Sequence, residues 1–277
     1  MSMTTAIERQ EDGTIKLTVT IPAASVQKTR EEVLQETAKQ AAVPGFRKGK
    51  APQKLVEEKA DEGKIKEEIL KKLLPLSYID AVKEHNLKPI VSPKIHVESI
   101  DDGKDWQFVA LTCEMPDVDL GSYKDNIQKI TAKSKIVLPG KEPTPVKFDD
   151  IVKTLLETAK VTIPSILTTG EVDRLLAQLL DDIKKLGLSL DQYLASTGKT
   201  AEQLRADYEA KAKNDISLEF ILQKVAENEK ITVEDKEIDE AIQKAKDDTE
   251  RKNLEANKYM LASILRQQKT LDFLKNL

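Results

Sequence analysis

The chain has 277 residues, of which 33% are charged and 4% aromatic, and its formal net charge is −4 at pH 7. This length is enough for about two domains. The acidic balance excludes a general polyanion-binding protein, so any contact with nucleic acid has to be a local basic patch. The low aromatic content argues against an aromatic-lined cofactor site. The single cysteine, Cys113, excludes an internal disulfide and a cysteine-based zinc site.

Targeting and membrane segments are not expected. The residues from Met1 to Thr5 lack a basic region followed by an apolar run, so no secretory signal is predicted. No stretch approaches the roughly 18 uninterrupted apolar residues of a membrane span. We therefore expect a soluble, cytoplasmic protein without a membrane partner.

Residues 1–115 predict an α+β domain that begins with strands. Alternating apolar and polar residues predict a hairpin from Ala6 to Ile21, with a turn at Gly13. From Pro22 to about Ala42 the apolar residues recur with a helical period.

The second half of this domain predicts a long helix followed by strands. After a short helix near Leu55, the helix runs from about Lys64 to His85, and Pro75 kinks or divides it. Two strands are expected at 90–100 and 106–114. Together with the hairpin they can form one antiparallel sheet that carries the helices.

The segment from Val43 to Pro52, which we call the tip, interrupts the helices. Pro44 cannot continue the preceding helix, and Pro52 suits the first position of the next one. Phe46 lies near the apex, and it is followed by two cations that can meet carboxylates or phosphates. From the residues alone, Phe46 could also pin the tip to its own domain, because isolated aromatic side chains usually pack inward. The flanking glycines favour a protruding docking loop instead.

Residues 116–146 predict an extended linker that contains proline. Leu138 to Pro145 is too rich in proline for a helix. The stretch from Lys129 to Leu138 could form one lone strand.

Residues 147–277 predict an all-α domain of long helices with helical arms. A stripe of leucines from Leu175 to Leu186 ends near Gly187. Ser189 and Thr200 each begin a capping-box sequence, so each is expected to open a helix. Further helices are expected from Val233 to about Lys246 and through the leucines from Leu254 to Leu274.

The residues Gly45 to Pro52 resemble the Gly-Phe-Arg-x-Gly-x-x-Pro signature of trigger factor, the bacterial ribosome-associated chaperone. They match at every fixed position. Ile163 to Leu167, followed by Glu171 to Leu176, is similar to the start of a helical arm in that family. The resemblance covers both predicted domains and leaves the linker unexplained.

The resemblance implies that the tip contacts a protein of the large ribosomal subunit and nearby rRNA beside the nascent-chain exit tunnel. Phe46 would fill an apolar pocket, Arg47 would pair with a carboxylate, and Lys48 would contact either the ribosomal protein or the rRNA. The implied ribosome-binding residues are Gly45, Phe46, Arg47, Lys48, Gly49, Lys50 and Pro52.

Typical family members also carry a prolyl isomerase domain of the FK506-binding type between the two parts. The stretch between Met115 and Lys147 is too short for such a domain. Both a natural short form and an engineered deletion would give this sequence.

No catalytic or metal site can be assembled from these residues. Gly198 to Thr200 is similar to the end of a phosphate-binding loop, but that motif needs a glycine where this chain has Tyr193, so a helix start is favoured. His85 and His96 have no partners at ligand spacing. Cys113 is expected to be a buried strand residue.

We therefore expect an ATP-independent chaperone, without enzymatic activity or cofactor, that holds nascent or unfolded polypeptides. Most leucines of the helical body must form its core, and a minority would line an open face for clients. The sequence does not single out those client-binding residues. Two alternatives remain: an assembly adaptor or scaffold for folded proteins, and a prolyl isomerase with an unrecognised site. A homodimer away from the ribosome is also left open.

Overall fold

The computed structural model describes residues 3–40, 61–134 and 147–277. Residues 1–2, 41–60 and 135–146 lie outside the described residues, and with them the tip and the short helix predicted near Leu55. The chain divides into two units, Met1–Met115 and Pro116–Leu277. The boundary falls where the sequence predicts the end of the α+β domain.

Unit 1 is built on a four-stranded antiparallel sheet with the strand order β1-β2-β4-β3. Within the described residues, the helices α1 and α2 lie between the second and third strands along the chain. The strands are β1 (Thr4–Arg9), β2 (Thr14–Ile21), β3 (Lys94–Ser99) and β4 (Trp106–Cys113), and the helices are α1 (Ala23–Gln40) and α2 (Glu62–Glu84).

The alternation of apolar and polar side chains along β2 decides which face of the sheet the helices cover. Every second side chain of β2, from Ile15 to Ile21, is at most 2% exposed. These residues share one core with Trp106 and Phe108 of β4 and with Ile65 and Ile69 of α2. The predicted α+β domain, with its hairpin and its later strand pair, is therefore confirmed.

Helix α2 continues through Pro75 without being divided. A proline removes one backbone donor from the helix interior. Here Ile69 and Ala81 are buried in the unit 1 core on either side of Pro75. Their packing holds the helix together across the missing hydrogen bond.

The described part of unit 2 contains helices and a short two-stranded ribbon, β5 (Val118–Asp119) paired with β6 (Lys160–Val161). Its helices are α3 (Tyr123–Ser134), α4 (Phe148–Thr158), α5 (Ser165–Lys185), α6 (Leu190–Thr197), α7 (Ala201–Asn228), α8 (Asp235–Gln243), α9 (Asp248–Ala256) and α10 (Lys258–Lys275). The helix-rich C-terminal region agrees with the prediction.

The main core of unit 2 lies where α3, α4, the C-terminal half of α7 and the end of α10 meet. Its fully buried residues include Ile127, Ile151, Leu155, Val225 and Leu274. A smaller cluster joins α5 to the first half of α7 and forms an arm. That cluster consists of Val172, Leu175 and Ala212, with Leu176 and Tyr208 packed against it.

The extended linker predicted for 116–146 is wrong for its described part, 116–134. This part contains β5 and α3 and belongs to unit 2. The lone strand predicted from Lys129 is likewise replaced by α3. The physical reason is burial, because Tyr123, Ile127 and Thr131 lie on one face of α3 and are at most 6% exposed.

Both predicted capping boxes are present at the far end of the arm. The Gln192 N–H donates to Ser189 Oγ at 3.2 Å, and the Gln203 N–H donates to Thr200 Oγ1 at 3.1 Å. The helix predicted from 233 to 246 ends at Gln243, and Leu254 belongs to the separate helix α9. Asp247 starts α9, because its Oδ1 accepts from the Glu250 N–H at 2.8 Å.

Candidate docking segment and apolar cleft

The tip residues predicted to bind the ribosome, Gly45 to Pro52, lie outside the described residues. The helices α1 and α2, on either side of residues 41–60, are described. Two ion pairs join these helices. Arg30 of α1 holds Glu62 of α2 through two hydrogen bonds, Nη1 to Oε2 at 2.8 Å and Nη2 to Oε1 at 2.7 Å.

The second ion pair places Lys72 Nζ 2.8 Å from Glu36 Oε2. The start of α2 is also fixed, because Asp61 Oδ1 accepts from the Gly63 N–H at 2.9 Å. The hydrogen bond from Arg30 lowers the pKa of Glu62, so this carboxyl group is ionised at neutral pH. The two described helices that flank residues 41–60 in the sequence are therefore braced against each other.

In unit 2, an open cleft of about 370 Å³ lies between α7, α10 and the loop that follows α7. We call it the α7–α10 cleft. Its floor is largely apolar and buried, with Leu222 3%, Ala226 1% and Thr270 0% exposed. The remaining lining residues are Glu219, Gln223, Thr232, Val233, Tyr259, Ala262, Ser263, Arg266 and Gln267.

Exposed apolar side chains lie along the first half of α10. Tyr259 is 92% exposed, Met260 58% and Ile264 53%. Tyr259 lines the cleft, and Met260 and Ile264 are exposed on the same helix. Scattered exposed apolar residues are ordinary, whereas a grouped set beside a cleft is typical of a binding surface.

The loop that forms one wall of the cleft is held by side chains of α10. Arg266 Nε donates to the Ile231 carbonyl oxygen at 2.9 Å. Lys269 Nζ donates to the Thr232 carbonyl oxygen at 2.7 Å and lies 2.9 Å from Glu237 Oε1. These contacts join the loop to α10.

The end of α7 is anchored to α3 beside this loop. Glu229 accepts from Tyr123 Oη at 2.8 Å and lies 2.7 Å from Lys124 Nζ. Hydrogen bonds from Lys124 and Tyr123 lower the pKa of Glu229, while burial and Glu229 raise the pKa of Tyr123. The next residue, Lys230, has φ = +54°, a left-handed conformation that favours glycine.

A second group of exposed apolar residues lies at the far end of the arm. It comprises Leu180, Leu186, Leu188 and Leu190, of which Leu186 is the most exposed at 75%. From the sequence, Leu180 and Leu186 were expected to belong to the apolar stripe of a helix, and no client-binding residue was predicted. One sequence feature could have revealed the exposed residues of α10: Met260 and Ile264 lie outside the leucine stripe of that helix.

The other candidates from the sequence take structural roles. Gly198 has φ = +65° and ends α6, and Thr200 caps α7, as expected for a helix start. Cys113 is buried, and this burial raises the pKa of its thiol to about 11. His85 Nε2 lies 2.9 Å from Thr5 Oγ1.

Within the described ranges, no group of three or more His, Cys, Asp or Glu side chains could hold a metal ion. Among the same residues, no helix combines the length and the apolar character needed to cross a membrane.

Two family models match consecutive parts of the chain. The model described as "Bacterial trigger factor protein (TF)" matches residues 3–138, and the model of the "Bacterial trigger factor protein (TF) C-terminus" matches residues 146–276. No prolyl isomerase model matches, and only residues 139–145 lie between the two matched stretches.

Curated relatives and a solved structure agree with these models. The chain is 38% identical over 122 residues to the trigger factors of Staphylococcus aureus strains JH9 and Newman; the match covers 44% of this chain and 28% of each relative. The fold is similar to that in a solved structure described as "Promiscuous Substrate Recognition in Folding and Assembly Activities of the Trigger Factor Chaperone". The TM-score is 0.66 at 13% identity, covering 98% of this chain and 99% of that one. The chain belongs to the trigger factor family of chaperones.

Proposed function

We propose that this protein is an ATP-independent cytoplasmic chaperone that docks on the large ribosomal subunit beside the exit tunnel and holds unfolded or newly made polypeptides. Two observations support the holding function: the α7–α10 cleft with its apolar floor, and the exposed side chains of Tyr259, Met260 and Ile264 on α10. Membership of the trigger factor family supports both functions. The proposal requires no cofactor.

The α7–α10 cleft suits one large apolar side chain of an extended segment. Burial of apolar surface contributes about 25 cal/mol per Å² before the cost of ordering the segment is deducted. The rim supplies Gln223, Ser263 and Gln267, whose side chains can bond to the client backbone. Several weak sites of this kind, together with the leucines at the end of the arm, would tolerate many sequences and release them quickly.

Docking is assigned to the tip, whose residues match the complete family signature. An apolar ring flanked by cations can use an apolar pocket on a ribosomal protein and charges on protein or rRNA. The braced pair of α1 and α2 supports this assignment, because a rigid base reduces the entropy lost when the tip binds.

Docking is tested by co-sedimentation with ribosomes. The variant in which Phe46, Arg47 and Lys48 are all replaced by alanine is expected to lose most of its binding. A variant with Lys71→Ala, in an exposed pair on α2 that does not link the two helices, serves as the control and should bind like the parent. Equal binding by the triple variant would refute the docking assignment.

Holding is tested by suppression of aggregation of an unrelated unfolded protein. Replacing Tyr259, Met260 and Ile264 by serine should weaken suppression, because it removes apolar surface without touching buried residues. Gln268→Ser, at an exposed polar position on the same helix, is the matched control. Unchanged suppression by the triple serine variant would show that clients bind elsewhere.

An assembly adaptor for folded proteins is the second candidate. It is favoured by the likeness in fold to the solved trigger factor chaperone, which is described as having assembly as well as folding activities. If excess protein fails to suppress aggregation but binds a folded partner, the adaptor function is preferred. If it accelerates a proline-limited refolding reaction of a short peptide, the chain is an isomerase after all.

A further inference from the structure

We propose that the guanidinium group of Arg266 is the polar anchor of the α7–α10 cleft and binds a main-chain carbonyl oxygen of the polypeptide held there. This inference rests on the proposed function. It adds a specific hydrogen-bonding residue to a surface that is otherwise defined by apolar area.

The position of Arg266 supports this role. It lines the cleft, and its Nε donates to the Ile231 carbonyl oxygen at 2.9 Å in a partly buried contact. A guanidinium carries five N–H donors. Within the described parts of the chain, Arg266 makes no other hydrogen bond or ion pair, so the donors of both Nη atoms remain available.

The contact with Ile231 also orients the group in advance. A guanidinium is planar, so holding Nε restricts the directions open to the two Nη atoms. A ligand that binds a pre-oriented donor loses less conformational freedom than one that must first order a mobile side chain.

A client carbonyl oxygen beside the apolar floor of the cleft needs a hydrogen-bond donor from the protein. An apolar side chain that enters the cleft brings its own backbone out of water beside Leu222 and Ala226, which are buried. A carbonyl oxygen that loses water without gaining a partner opposes binding. A charged donor at the rim removes that penalty for any client sequence, because every residue has a main-chain carbonyl.

The neighbouring charged side chains, Lys269 and Glu219, are unsuited to the role proposed for Arg266. Lys269 is the next cation along α10, but it is engaged by the Thr232 carbonyl oxygen and Glu237 and does not line the cleft. Glu219 is the acidic lining residue, and a carboxylate cannot donate to a carbonyl.

The test measures binding of a short, uncharged, fluorescently labelled peptide with a single phenylalanine and an amidated C-terminus. Arg266→Met should weaken binding about tenfold, the effect of losing one charge-assisted hydrogen bond, and Arg266→Lys should restore part of it. Lys269→Met, which loosens the same loop without changing the cleft lining, is the matched control and should stay within about twofold of the parent. An apolar dye that needs no hydrogen bond should bind all three variants as it binds the parent.

The outcomes separate this inference from the proposed function. If the parent binds no peptide and suppresses no aggregation, the holding function itself fails. If the parent binds but Arg266→Met binds equally well, the anchor is wrong. If Arg266→Met and Lys269→Met weaken binding equally, Arg266 acts only through the loop. If Arg266 matters only for the same peptide with a free C-terminal carboxylate, its ligand is that carboxylate and the carbonyl assignment is overturned.

Discussion

Replacing Lys230 by glycine should stabilise the protein. Lys230 follows the end of α7 and has φ = +54°. Two hydrogen bonds close the helix here, from Lys230 N to Glu227 O at 3.2 Å and from Ile231 N to Ala226 O at 2.8 Å. This pair of bonds is the helix ending in which glycine is the usual residue at the left-handed position. Gly187 occupies the equivalent position after α5, with φ = +72°.

The magnitude follows from two opposing contributions. A side chain in the left-handed region costs about 1–2 kcal/mol, which glycine avoids. Glycine also gives the unfolded chain more freedom, and this lowers stability by about 0.4–1 kcal/mol. The expected net gain in the free energy of unfolding is therefore between about 0 and 1.6 kcal/mol, with a midpoint of about 0.8 kcal/mol.

Denaturant unfolding of the full chain, followed by circular dichroism, measures this change. The matched control is Lys213→Gly, the same substitution at an exposed position inside α7, which should cost about 0.5–1 kcal/mol because glycine is a poor helix former. The two substitutions should thus have opposite signs. If Lys230→Gly lowers stability as Lys213→Gly does, the strain assigned to Lys230 is refuted.

Three further predictions concern single groups. Arg30→Met should cost less than about 1 kcal/mol at neutral pH, because the pair with Glu62 is partly exposed. The pKa of Glu62 is lowered from 4.5 in the folded state, so in unfolding curves the difference from the parent should shrink as the pH falls below 4.5 and vanish below the lowered pKa; a constant difference would contradict the ion pair. Gly121→Ala should lower the free energy of unfolding by about 1–3 kcal/mol, because Gly121 has φ = +51° and a Cβ would lie 3.2 Å from a backbone oxygen. Gly170→Ala, in open space on α5, should instead raise the free energy of unfolding by about 0.5–1 kcal/mol. The Cys113 thiol should react with a thiol reagent far more slowly in the native protein than in denaturant, because it is buried and its pKa is raised to about 11; equal rates would refute its burial.

Elements whose structure depends on neighbouring residues were predictable from the sequence. The alternation in β2 and the capping boxes at Ser189 and Thr200 were confirmed, because strand periodicity and helix caps are decided within a few residues. The burial of Cys113 also followed from its place in a strand. The family was predictable because the tip signature is a contiguous run.

Elements that depend on distant partners were not predictable in the same way. The N-terminal part of the expected linker forms α3, whose Tyr123 and Ile127 are buried against helices far away in the sequence. Short helices gain most of their stability from such tertiary packing rather than from local preference. A proline-rich neighbouring stretch made the local pattern look extended.

By itself, the sequence determined an α+β domain, a helical domain and the family signature in the tip, since local periodicity and a contiguous motif carry this information. The tertiary structure alone decided which apolar side chains stay uncovered. Tyr259 and Leu274 both lie on α10, yet one is 92% exposed and the other fully buried. The difference arises because only the end of α10 packs into the unit 2 core, while its beginning borders the cleft whose rim carries Arg266.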